Sequence, residues 1–149
     1  MDTRQPLELR DLRLSHQMFL WTVRHIVCAG EDRKPLCPLV THFFDDAGLP
    51  RAIGAITALL RTLSAGARMP LTVNVPCGVS VLIDEQRLID GLYDAGDGRI
   101  DKICADLGCV VKPRACHAVA QRLCDVAAQL NALESLRGAS PRQVGATLH

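Results

Sequence analysis

Four cysteines and a histidine fall within the 21 residues "CADLGCVVKPRACHAVAQRLC", from Cys104 to Cys124. Thiolates and imidazoles bind zinc, and thiolates carry redox chemistry, so the segment raises both possibilities. Zinc needs four ligands at about 2.0–2.3 Å from one point, usually in closely paired spacings. Here the intervals are C-x4-C from Cys104 to Cys109, C-x6-C from Cys109 to Cys116, and six intervening residues between His117 and Cys124. Only the first sits near the zinc-knuckle range. If Pro113 opens one continuous helix, Cys116 and Cys124 stand ~12 Å apart along its axis at ~1.5 Å per residue, and His117 and Cys124 ~10 Å apart. Neither pair can share an ion. What survives is Cys104 on a short helix, Cys109 in a turn and Cys116 one turn into the long helix, with His117 beside them. A metal site would use Cys104, Cys109 and Cys116 and borrow a fourth ligand from Cys77, His25 or His42.

Two further readings compete for the same thiols. In the first turn after Pro113, the helix dipole together with Lys112 and Arg114 would favour the Cys116 thiolate, with Cys109 as its redox partner across the turn. No C-x-x-C is present. Against this, free cysteine is among the most buried residue types, and Cys116 lies on the apolar seam of the long helix. Packing is the favoured role for Cys104, Cys116 and Cys124.

Other chemistry-bearing groups have simpler explanations. His42 precedes Asp45 and Asp46 by three and four residues in "THFFDD", which puts them on one helical face, more naturally solvated than catalytic. "DAGDGRID" lacks the D-x-D-x-D-G spacing of a calcium loop and reads as turns and caps. Asp84-Glu85 suits a helix N-terminus. There is no G-x-S-x-G, H-E-x-x-H, P-loop or G-x-G-x-x-G.

The elements that must position these groups are mostly helical, since apolar residues recur at three and four positions. Helices are expected from about Asp11 to Cys28, ended by Gly30 in the left-handed region, and from Pro38 to Asp46, closed by Gly48. A third runs from Pro50 to Gly66, with Ile53, Ile56, Leu60 and Leu63 as its stripe. Between them "LTVNVPCGVSVLI" alternates Leu71, Val73 and Val75, then Val79, Val81 and Ile83, which predicts a small β-hairpin over 71–83 turning at Pro76-Cys77-Gly78. Helices then follow from Asp84 to Asp94, with Leu88, Ile89 and Leu92 apolar, and from Asp97 to Leu107. The longest starts at Pro113 with Cys116, Val119, Ala120, Leu123, Val126, Ala127, Leu130 and Leu133 in register. The expected architecture is therefore mainly α, a compact bundle of five or six helices in one domain over 1–137, with 138–149 as a flexible tail.

Bulk properties narrow the function. The 149 residues suffice for one real core, and 48% hydrophobic with 22% charged residues is the balance of a globular chain. A net charge of +1, from 17 basic and 16 acidic residues, gives no overall electrostatic case for nucleic acid, leaving only a basic patch assembled by the fold. The N-terminal stretch "MDTRQPLELRDLRL" lacks a signal-peptide core, and no apolar run reaches the ~18 residues of a membrane span, so the chain is read as cytoplasmic. Seven cysteines in a reducing cytosol are more naturally free thiols than disulfides.

Taken together, "LLRTLSAGARMPL", "PCG", "DEQRLIDGL" and "DAGD" resemble a group of small helical proteins of alphaproteobacteria. In that group a tryptophan-bearing helix, here around Trp21, comes first, and a leucine-rich helix ends in an A-R-x-P-L-like turn. The similarity spans about residues 12 to 135 and implies a bacterial helical fold with no particular activity. This sequence departs from it in carrying Leu82-Ile83 where the group has a serine cap before the acidic pair, and only Cys77 among the cysteines falls within the shared motifs.

The function expected is thus a non-catalytic interaction or regulatory protein, pairing with a second copy of itself or with another protein. It would need no cofactor, nucleic acid or membrane. The alternative is a thiol-based redox or metal-responsive sensor using Cys109 and Cys116 with Cys104 assisting. An enzyme built on His42, Asp45 and Asp46 ranks below both.

Overall fold

The computed structural model describes the backbone of residues 5–147 and the side chains of residues 5–136. A 3-10 turn, Leu9–Asp11, precedes six helices: α1 (Leu14–Asp32), α2 (Pro38–Asp46), α3 (Ala52–Gly66), α4 (Ile83–Gly96), α5 (Ile100–Leu107) and α6 (Pro113–Thr147). The mainly α class is as expected. Helix α6 is the axis of the bundle, packing against α3, α4, α5 and α1. Its whole expected stripe, Cys116 to Leu133, is buried, because positions three and four apart share a face of the helix.

Local signals fix most helix ends. Pro38 occupies the first turn of α2, where its missing N–H costs nothing. Gly48 follows with φ 74°, a left-handed conformation that glycine adopts without the steric penalty of a Cβ. Helix α1 behaves differently from the expectation. It passes through Gly30 to Asp32, and Arg33 adopts the left-handed cap at φ 53°. The stop comes from Pro35, which disfavours helical geometry at the residue before it. In α3 the buried large side chains are Ile56, Leu59 and Leu63, while Ile53 and Leu60 are half-buried. Helix α6 carries helical backbone to Thr147, across most of the segment expected as a tail, and residues 148–149 lie outside the described chain.

Helices α3 and α6 approach closely at one end. A Cβ on Gly66 would come within 2.4 Å of the Ala115 Cβ, so the side chain is absent because backbone and neighbour occupy its space. The junction is sealed by the Lys112 amide donating to the Gly66 carbonyl at 2.8 Å and the Arg68 amide to the Val110 carbonyl at 2.9 Å.

The expected hairpin over 71–83 does not form. The turn exists, with the Gly78 amide donating to the Val75 carbonyl at 2.9 Å. Its two arms do not pair with each other, however. Instead the Leu9 amide donates to the Val79 carbonyl and the Val81 amide to the Leu7 carbonyl, both at 2.8 Å, leaving an isolated bridge between Glu8 and Ser80. Side chains take groups a ladder would have used. Asn74 Nδ2 donates to the Ser80 carbonyl at 2.9 Å, and the Thr72 amide donates to Asp84 Oδ2 at 2.8 Å. The amides of Thr72, Val75, Gly78 and Val81 each find an acceptor without a ladder.

Candidate functional site

Arg24 and Glu85 have side chains fully shielded from solvent, 61 positions apart in the chain, on α1 and α4. Arg24 Nε donates to Glu85 Oε2 at 2.7 Å and Nη2 to Glu85 Oε1 at 3.0 Å, the two-pronged geometry that suits a guanidinium and a carboxylate. The guanidinium also donates from Nη1 to the Gly78 carbonyl at 2.7 Å and from Nη2 to the Ser80 carbonyl at 2.9 Å. Glu85 Oε1 accepts the Leu82 amide at 2.9 Å as well. An unpaired buried ion costs several kcal/mol, so this degree of satisfaction is what makes the burial tolerable. The pair rivets the α3–α4 connection to the body of the bundle.

That connection covers residues 67–82 without regular secondary structure. Loops of this length in a compact domain are uncommon and usually functional. It presents Met69 (66% exposed), Val75 (59%) and Val79 (64%), and Ile83 at the start of α4 is 70% exposed. Met69, Val75 and Val79 thus expose large apolar side chains on a loop that the buried pair anchors. An apolar groove of about 420 Å³ runs beneath it, lined by Leu60, Leu63, Met69, Leu71 and Val73 among others.

A second, more polar cleft of about 140 Å³ lies between α1, α4 and α6, bordered by Arg13, His16, Tyr93, Asp97 and Asn131. His16 is buried, and its Nδ1 has no hydrogen-bond partner. Burial first, and the Arg13 charge second, hold its pKa down at about 4, with Glu134 pulling the other way. The imidazole is thus neutral at pH 7. Tyr93 meets its edge at 4.7 Å between ring centroids and carries the Arg13 guanidinium 4.6 Å above its own ring.

Cys104 and Cys116 are neighbours, but among the described residues they gather no metal-binding group of three ligands. Cys116 is buried and donates weakly to the Val111 carbonyl at 3.8 Å. Cys109 is exposed, its sulfur 3.6 Å from the Asp106 carbonyl. Cys104 is half-buried; desolvation, then the neighbouring Cys116 and Asp101, push its thiol pKa up. A redox thiolate needs access and a low pKa. Cys116 lacks the first and Cys104 the second. Desolvation and Asp125 raise the Cys124 thiol as well, and desolvation with Asp32 raises that of Cys28. All seven cysteines are free. Among the described residues, no three His, Cys, Asp or Glu side chains gather closely enough to hold a metal ion.

The remaining candidates disperse as well. His42, Asp45 and Asp46 are exposed, as is His117, and Cys77 sits exposed on the anchored loop. His25 is half-buried and stacks edge-on with Trp21 at 5.2 Å, and Trp21 in turn meets Phe43 at 6.2 Å. Reading the sequence missed Arg24 and His16, although a signal was present. His16, Leu20 and Arg24 are spaced by four, so both polar residues fall on the apolar stripe of α1, where a buried partner is the natural inference. Comparison with protein-family models, with curated proteins and with solved structures finds no match. Among the described residues, no helix is long and apolar enough to cross a membrane.

Proposed function

We propose that the protein is a non-catalytic interaction module that engages another protein chain, or a second copy of itself, through the α3–α4 loop and the groove beneath it. The observation that carries this reading is the combination of exposed Met69, Val75, Val79 and Ile83 with an anchor that holds the loop through a buried ion pair. A loop that only connected two helices would need neither the exposed apolar side chains nor the cost of burying two charges. The free thiols, with those of Cys28, Cys104 and Cys124 raised in pKa, and the scattered histidines support this reading over a sensor or an enzyme.

The test is affinity capture with the wild-type chain and with a Met69→Asp/Val79→Asp variant, alongside size-exclusion chromatography with light scattering. Both substitutions are at exposed positions, so the thermal midpoint should shift little. A stoichiometric partner, or a dimer, seen with the wild type and lost in the variant is the expected result. Identical captured sets and identical mass for the two proteins would sink the proposal.

A further inference from the structure

The near-zero net charge conceals a segregation. Residues 47–83 and 107–124 contain Arg51, Arg61, Arg68, Lys112, Arg114 and Arg122 and not one aspartate or glutamate. Taking those six from the chain's 17 cations leaves 11 against all 16 acids, so these two segments carry a formal +6 and the remainder −5. The fold joins the two segments, since α3 packs along the start of α6. Arg122 faces Asp125 at 3.7 Å; among the described residues, no carboxylate comes within ion-pair distance of Arg61, Lys112 or Arg114. Those three line one open cleft of about 530 Å³, whose floor is made of small residues such as Thr62, Ala65 and Ala115.

The last turns of α3 divide this basic cleft from the apolar groove. Arg61, Thr62 and Ala65 line the cleft, while Leu60, Leu63 and Ser64 line the groove with Met69. A helix with its side chains is ~10 Å across, so one bound segment of modest length can touch both sides. We propose that this ridge docks an acidic, amphipathic protein segment, its carboxylates toward Arg61, Lys112 and Arg114 and its apolar side chains in the groove. The proposal rests on the interaction-module reading and names the chemistry of the partner. A protein segment fits better than a nucleic acid for two reasons. Neither basic segment contains a Phe, Tyr or Trp on which a base could stack, and a phosphodiester has no use for the adjoining apolar groove.

The experiment is selection of a random-sequence peptide library on the intact protein, with enriched peptides measured by fluorescence anisotropy against three proteins and a random-sequence DNA duplex as competitor. The proteins are the wild type, Arg61→Glu/Arg114→Glu and Met69→Asp, each checked for an unchanged thermal midpoint. Enrichment of sequences with Asp or Glu interleaved with apolar residues is expected, with binding weakened about tenfold or more by either variant and by raising salt from ~0.05 to ~0.5 M. Enrichment of uncharged apolar peptides lost only in Met69→Asp would overturn the acidic partner while leaving the interaction module standing. Failure to enrich any peptide would overturn both. Tighter binding of the duplex than of any peptide, abolished by Arg61→Glu/Arg114→Glu, would overturn the proposal in favour of nucleic acid.

Discussion

Replacing Arg24 by methionine keeps an unbranched stem but removes the cation that faces Glu85 in a site closed to solvent. Glu85 would keep the Leu82 amide as its donor. The Gly78 carbonyl would lose its Arg24 donor, while that of Ser80 would retain Asn74. Stranding one partner of a buried pair costs about 3–5 kcal/mol, and an unmet carbonyl adds about 1 kcal/mol. Against a domain stability of about 5–15 kcal/mol, Arg24→Met should bring the protein close to half-unfolded in mild urea. Urea unfolding followed by circular dichroism measures the loss. The double variant Arg24→Met/Glu85→Leu should recover about 2 kcal/mol of it, since no charge is then left buried. Hydrogen exchange reports the location: the Leu9 and Val81 amides, bonded to the Val79 and Leu7 carbonyls, should lose protection first. A cost below about 1 kcal/mol for Arg24→Met, or no recovery in the double variant, would refute the claim that the pair anchors the loop.

The His16 site gives a pH dependence. Because its folded pKa is about 4 against an ordinary histidine value of 6.5, stability is fully present above 6.5 and falls as pH drops from 6.5 toward 4, a window in which the unfolded chain alone takes up the proton. At about 1.36 kcal/mol per unit, discounted for hydration across the cleft, the loss is about 2 kcal/mol. His16→Gln should lack this component of the acid limb, and an NMR midpoint near 6.5 for His16 would contradict it. Gly66→Ala should destabilise by about 1–3 kcal/mol through overpacking against Ala115, despite alanine's higher helix propensity, with part of the loss recovered on adding Ala115→Gly in thermal melts. Alkylation by iodoacetamide near neutral pH, read by mass spectrometry, should modify the exposed Cys77 and Cys109 well before Cys104, Cys116 or Cys124. Early labelling of Cys104 would restore the sensor reading.

What the sequence reveals here depends on how far its signals must reach. Helix α2 is legible because Pro38 and Gly48 act on their own turns, and α6 because its stripe repeats along one face. The stop of α1 was placed at Gly30 because glycine commonly ends helices, but the constraint acting was the proline five positions later. The hairpin was misread for a different reason. Alternation of Leu71, Val73 and Val75 records which side chains face inward, not which backbone groups pair, and Arg24 reaches the Gly78 and Ser80 carbonyls from 54 and 56 positions away. Helix geometry alone separates Cys124 from Cys116 on α6, whereas the exposure of Cys109 depends on a turn that helix geometry does not govern. Charge summed over the chain hid the basic cleft, because a sum discards position.

The way the loop is held has a consequence for how the surface can change over time. Arg24 grips residues 78 and 80 by their carbonyl oxygens, atoms that every amino acid supplies in the same place. The outward side chains at 69, 75 and 79 contribute nothing to that grip, so they can be exchanged without loosening the frame beneath. The arrangement separates a fixed frame from replaceable side chains much as an antibody framework does for its loops, and it makes positions 69, 75 and 79 natural places to introduce new side chains on this bundle.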